Sequence, residues 1–384
     1  MDLPQELIEA IIDHADRDSV RNFALTAHRF VPVCRRILFY NARLYPTTMH
    51  GDDINDRVQQ LLDIFKVSPQ IAQFIRGVRI DVDTTPSPGF EKLLSVCMTH
   101  ITSPHRVAFD GRDRSWDSFA PELADALTSM IRRPTLRACS LRRVDGFPFS
   151  VSSYSQIHDL VLDKVVFSRS ETPASSLMTS KPIQLRYLEY SPTSTRPPLS
   201  IVPTPFRDSM QQLGFDFSHL QSLALTFTQH IPGIATLLTD CGASLQSLTL
   251  CGEVEIDLSP LSRIQNLALD IFIDFPLSGS DTAPLLASIA TLKTLNPSSR
   301  STLRNVTLDI CLTEASIALF GDDTWDSLDM TLFRLFKDRD PLGTVSIELS
   351  SSWDGSTEDL YLEFTNKLPK CQGAGILVRS VRKI

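Results

Sequence analysis

The sequence predicts an α/β chain: repeated strand-and-helix units stacked side by side, behind a small helical module. Three observations predict it. An apolar triple at positions i, i+3 and i+5 recurs along the chain, most cleanly as Leu245/Leu248/Leu250. Segments of helical period fill several of the gaps between triples, and the first 45 residues carry a different pattern, three short amphipathic stretches in succession.

The N-terminal stretches come first. Pro4 in LPQEL stands at a first helical turn, where its missing N–H costs nothing. Leu7, Ile8, Ile11, Ile12 and Ala15 then form a wide apolar stripe of helical period. Asp18 or Ser19 can cap a second helix carrying Val20, Phe23, Ala24 and Ala27, and Pro32 can open a third carrying Val33, Ile37, Leu38 and Phe39. Three such helices bury too little to be comfortable alone, so a partner or a neighbouring domain is expected. Residues 46–74 read as a joining helix with Ile54, Val58, Leu61, Leu62 and Phe65 on one face.

From about residue 70 the triples take over: Ile75/Val78/Ile80, the weaker Pro104/Val107/Phe109, Leu136/Cys139/Leu141, Ile157/Leu160/Leu162, Leu185/Leu188/Tyr190, Leu220/Leu223/Leu225, Leu245/Leu248/Leu250, Ile264/Leu267/Leu269, Leu303/Val306/Leu308 and Leu342/Val345/Ile347. The last two members alternate with an outward residue, as a half-buried strand requires, while the first tucks in from the approaching loop. Ten short strands are therefore expected. Helical period between them falls on Phe119, Leu123, Leu127, Met130 and Ile131; on Ile234, Leu237 and Leu238; on Leu285, Leu286, Ile289, Leu292 and Leu295; and on Leu328, Leu332, Leu335 and Phe336. Such a unit cannot bury its own apolar face and must lean on its neighbours. Thr84 to Gly89 reads as a loop, and Ser168 to Ser209, apart from the strand LRYLEY, as a Ser/Thr/Pro-rich insertion. Ser191-Pro192 and Thr204-Pro205 within it fit proline-directed phosphorylation, though the plain loop reading carries more weight.

These triples resemble the L-x-x-L-x-L half of a leucine-rich repeat. The Asn or Cys that follows in that family is matched only at Cys311, so the resemblance implies an irregular right-handed solenoid with a curved parallel sheet over residues 46–384. The N-terminal LPQELIEAII, ALTAHRF and CRRILFYNARL resemble the F-box, in the F-box-like version of fungal, basidiomycete-type proteins, whose last segment leads into a short strand. That resemblance covers residues 1–45. It implies docking on a Skp-type adaptor through Leu3, Pro4, Leu7, Ile8, Ile11, Ile12, Val20 and Phe23, and so membership of a cullin-RING ubiquitin ligase. The competing reading is that these helices merely cap the first repeat.

Composition excludes several classes. The 384 residues are 42% apolar and 21% charged, ordinary globular material, and the net charge of −8 lacks the cationic surplus of a general nucleic-acid binder. Cysteines number 7, with no C-x-x-C, which favours buried thiols in a reducing compartment over disulfides or zinc. No apolar run approaches membrane length, and the acidic N-terminus is unlike a secretory signal, so a soluble chain of the cytoplasm or nucleus is expected. The sequon Asn305-Val306-Thr307 falls inside an expected strand and is discounted. No Ser-elbow, phosphate-loop or H-E-x-x-H motif appears, so no catalytic residue, cofactor or metal is assigned.

The partner-binding face is read from the strands. The outward row between the last two apolar members is mostly small: Arg79, Ala108, Ser140, Val161, Glu189, Ala224, Thr249, Ala268, Thr307 and Ser346. The next outward row holds acids at Asp81, Asp110, Asp163, Asp270, Asp309 and Glu348. This stripe suits a basic segment of a substrate protein; the plainer reading is that Asp ends strands well and keeps sheets soluble. Together these expectations describe a substrate-recognition subunit of a ubiquitin ligase. A repeat scaffold without ligase association, and an enzyme with an unrecognised site, stand as alternatives.

Overall fold

The computed structural model describes residues 4–46, 56–85, 87–148, 156–167, 182–192, 215–226, 233–252, 255–272, 283–295, 302–311, 321–337, 343–350, 362 and 364–381. Leu3, Ile54, Leu342, Thr204-Pro205 and most of the Ser168 to Ser209 stretch lie outside them. The chain divides into two compact units, Met1–Ile183 and Gln184–Ile384, both mixed α/β with a parallel sheet.

The first unit opens with helices α1 (Gln5–Asp13), α2 (Arg17–Thr26) and α3 (Val31–Leu38), with a 3-10 turn at His28–Phe30. Asp16, rather than Asp18 or Ser19, caps α2. Its carboxylate accepts from the backbone N–H groups of Asp18 at 3.0 Å and Ser19 at 2.9 Å, so the helix starts earlier than the sequence pattern suggests. The Ser19 hydroxyl and amide hold that carboxyl below the ordinary range.

Strand β1 (Asn41–Leu44) follows, then α4 (Asp56–Val67), whose Val58, Leu62 and Phe65 are buried as the joining-helix pattern requires. The next elements are β2 (Gly77–Asp81), α5 (Pro88–His100), β3 (Arg106–Ser115), α6 (Pro121–Ile131), β4 (Ala138–Phe147) and β5 (Asp159–Phe167). Helix α5 takes Pro88 and Gly89 from the expected loop, because proline is free to stand in a first turn. The five strands pair in parallel, in chain order. Val78, Val107, Cys139 and Leu160 fall in one register row, Ile80, Phe109, Leu141 and Leu162 in the next, and all are buried.

In the second unit β7 (Tyr187–Ser191), β9 (Ser222–Thr226), β10 (Ser247–Cys251), β11 (Asn266–Phe272), β12 (Asn305–Cys311), β13 (Thr344–Ser350) and β14 (Leu377–Val381) pair in parallel. The two-residue strands β6 (Ile183–Gln184) and β8 (Phe215–Asp216) are not part of this sheet. Helices α7 (Ile234–Cys241), α8 (Ala283–Lys293), α9 (Asp322–Phe336) and α10 (Pro369–Gly373) bury Leu237, Leu238, Leu285, Ile289, Leu292, Leu328, Leu332 and Cys371. Leu286, expected on the apolar face of α8, is exposed instead. The fully buried Asp329 carboxylate accepts from the backbone N–H groups of Lys370 at 2.9 Å and Cys371 at 3.0 Å, which satisfies α10's first turn and fixes the approach to β14. Among the described residues no helix is long and apolar enough to cross a membrane.

Candidate protein-interaction surfaces

Two kinds of surface collect the residues singled out by the sequence: a helix face near the N-terminus and the outward faces of the two sheets. In the N-terminal module Ile8 and Ile12 from α1, Val20 from α2, and Val33 and Cys34 from α3 form one small core, with Phe23 and Phe30, edge-to-face with each other, packed against it. Arg36 of α3 ties back to Glu9 at 3.6 Å and Asp13 at 3.5 Å. Of the eight expected adaptor contacts, Ile8, Ile12 and Val20 are therefore enclosed and cannot touch a partner while the module is folded, because three short helices must spend those side chains on one another. Phe23 is partly buried, and Leu3 lies outside the described residues. Pro4, Leu7 and Ile11 remain on the surface, and Leu7 and Ile11, one helical turn apart, are 52% and 51% exposed.

On the first unit's sheet the expected acidic row is largely spent within the protein. Asp81 pairs with Arg79 of the same strand at 3.1 Å. Asp110 is buried rather than presented outward, and Arg143 clamps it with both Nε, at 2.9 Å, and Nη2, while the Arg112 amide donates at 3.0 Å. Burial pushes the Asp110 carboxyl up, but the bonds from Arg143 and Arg112 more than offset it and hold it below its ordinary value. Asp163 stands in register with Arg142 and also faces Arg143 electrostatically. The same face carries exposed arginines at Arg43, Arg79 and Arg106.

The second unit's sheet keeps its acids together. Parallel register stacks Cys251, Asp270, Asp309 and Glu348 on four successive strands. Asp270 is half-buried, and its carboxyl is pushed up to about 6 by that burial and by the charges of Asp309 and Glu348. Burial first, then Asp270, pushes the Cys251 thiol up to about 11. On the same face Asn305 donates through Nδ2 to Asn266 at 2.7 Å and accepts from the Thr344 hydroxyl at 2.6 Å, while Ala224, Thr249, Ala268, Thr307 and Ser346 make the small row between.

Among the described residues no group of three or more His, Cys, Asp or Glu side chains is arranged to hold a metal ion. No family model matches this chain, and no curated protein matches its sequence. The basic character of the first unit's face escaped the sequence reading, which placed Arg79 in a row without its neighbours. The alternation in NARL, GVRID and RVAF was the available signal.

Proposed function

We propose that this chain is the substrate-recognition, F-box-like subunit of a cullin-RING ubiquitin ligase, its N-terminal helices docking on a Skp-type adaptor and its leucine-rich-repeat strands holding a target protein. The observation that carries this reading is the exposed Leu7 and Ile11 pair on α1, one turn apart on a module whose own core is already complete without them. Burying each such side chain is worth about 1.5–3 kcal/mol, enough to make the pair an interface anchor. The repeat reading is supported by the second and third members of the apolar triples, which fall in parallel register rows within each unit. In this role the chain performs no chemistry. It holds the target beside the ligase, and its contribution is proximity.

The Asp270, Asp309 and Glu348 row favours a target with a basic segment, since complementary charge steers encounter and sets register. A second reading, a repeat scaffold without ligase association, is favoured by the enclosure of Ile8, Ile12 and Val20, which confines the apolar docking surface to few side chains. Pull-down of a purified Skp-type adaptor by the full chain separates the two. Retention by the native chain and loss on Leu7→Ala with Ile11→Ala is the expected result; equal retention by both chains, or by neither, rejects the adaptor reading.

A further inference from the structure

We propose that the outward face of β1, β2 and β3 is a docking surface for an acidic segment of a partner protein, gripped by Arg43, Arg79 and Arg106. Arg43 and Arg79 are register partners on adjacent strands, which sets their Cα atoms about 4.8 Å apart. Arg106 is in register with Gly77, two residues before Arg79 and one strand over, a diagonal of roughly 8 Å. Arg43 precedes the buried Leu44, Arg79 lies between the buried Val78 and Ile80, and Arg106 precedes the buried Val107, so the three share the face opposite the core.

Two like charges directly opposite on neighbouring strands cost a sheet stability, and an anion lodged between them removes that cost. The repulsion is only partly relieved from within. Asp81 engages Arg79 through Nε alone, and among the described residues no carboxylate bonds Arg43 or Arg106. The Nη groups of Arg79 and both whole guanidinium forks of the others are thus available for two-point contacts with carboxylates. Gly77 supplies the floor. A Cβ there would fall 2.1 Å from Asn41 Oδ1, so its absence lets the Asn41 amide lie across β2 in the row that Arg106 continues.

The dimensions favour a short peptide over a nucleic acid. Three arginines spanning roughly 12 Å from Arg43 to Arg106 can meet two or three carboxylates, whereas a phosphate backbone needs cations along its length, and a chain of net charge −8 repels a long polyanion. The proposal stands apart from the ligase reading, and loss or retention of adaptor binding leaves it untouched.

The test is fluorescence anisotropy of a short fluorescein-labelled glutamate-rich peptide titrated with the full chain at low salt. We expect saturable binding that weakens as salt rises, an affinity loss of about tenfold or more in the Arg43→Glu/Arg106→Glu variant, and no change in Lys92→Glu, an exposed lysine of α5 that controls for net charge. If the double variant unfolds, Arg43→Ala on the first strand replaces it, with a loss of about threefold or more expected. The proposal is overturned by absence of peptide binding, by unchanged affinity in a folded arginine variant, or by displacement of the peptide by a single-stranded oligonucleotide of equal charge.

Discussion

Both oxygens of the buried Glu91 carboxylate are engaged: Oε1 accepts from Arg114 Nη1 at 2.8 Å, and Oε2 accepts from the Ala120 backbone N–H at 2.7 Å. Arg114 is satisfied in turn, donating through Nη2 to the Ser118 carbonyl at 2.9 Å and lying 4.3 Å over the Phe119 ring. One enclosed ion pair therefore ties α5 to β3 and to the entry of α6.

Removing one partner of that pair strands a charge away from water. Arg114→Leu or Glu91→Leu alone is expected to lower unfolding free energy by about 3–5 kcal/mol, and the double variant to recover part of the loss. Urea midpoints of the four chains check this; additive single effects would show that the pair acts through packing alone.

The N-terminal module separates core from surface. Leu7→Ala with Ile11→Ala should lower the unfolding midpoint only slightly, because about half of each residue's surface is already in water. Ile12→Ala, in the module's core, should cost about 2–5 kcal/mol. Amide exchange of residues 5–38 measures both, and a large loss from the surface pair would mean that those side chains are structural.

Asp270 gives the second unit a pH dependence of defined sign. Its native carboxyl titrates near 6 against an unfolded value of 3.8, so between those limits the native state binds a proton that the unfolded chain does not. Stability contributed by this group therefore rises as pH falls from about 6 toward 4 and is lost again above 6. Asp270→Asn should raise the urea midpoint at neutral pH and flatten that slope. An unchanged slope would place the titration elsewhere.

Much of the fold was legible because strand alternation is local. Leu248 and Leu250 point inward whatever pairs beside them, and the recurrence of the triple requires neighbours to cover each unit. β14 was not legible, since its Arg379 occupies the register position of Ile347 and interrupts the apolar rhythm. Nor was the detail of β3 to β5, where Arg112, Asp113, Arg143 and Lys164 adopt positive φ without glycine and the register shifts between Asp110 and Arg114. Side chains beyond such a shift no longer follow the simple alternation.

The candidate surfaces divide the same way. Residue order alone determined which positions are apolar, which are acidic, and that α1 carries two apolar turns, because periodicity is a property of the chain. Only the tertiary structure decided that Ile8 and Ile12 face inward while Leu7 and Ile11 stay outside, that Asp81 and Asp110 are taken up by Arg79 and Arg143, and that Arg43 stands beside Arg79. Charge on a strand has meaning only beside the strands next to it, and that adjacency is set by packing between segments distant in sequence.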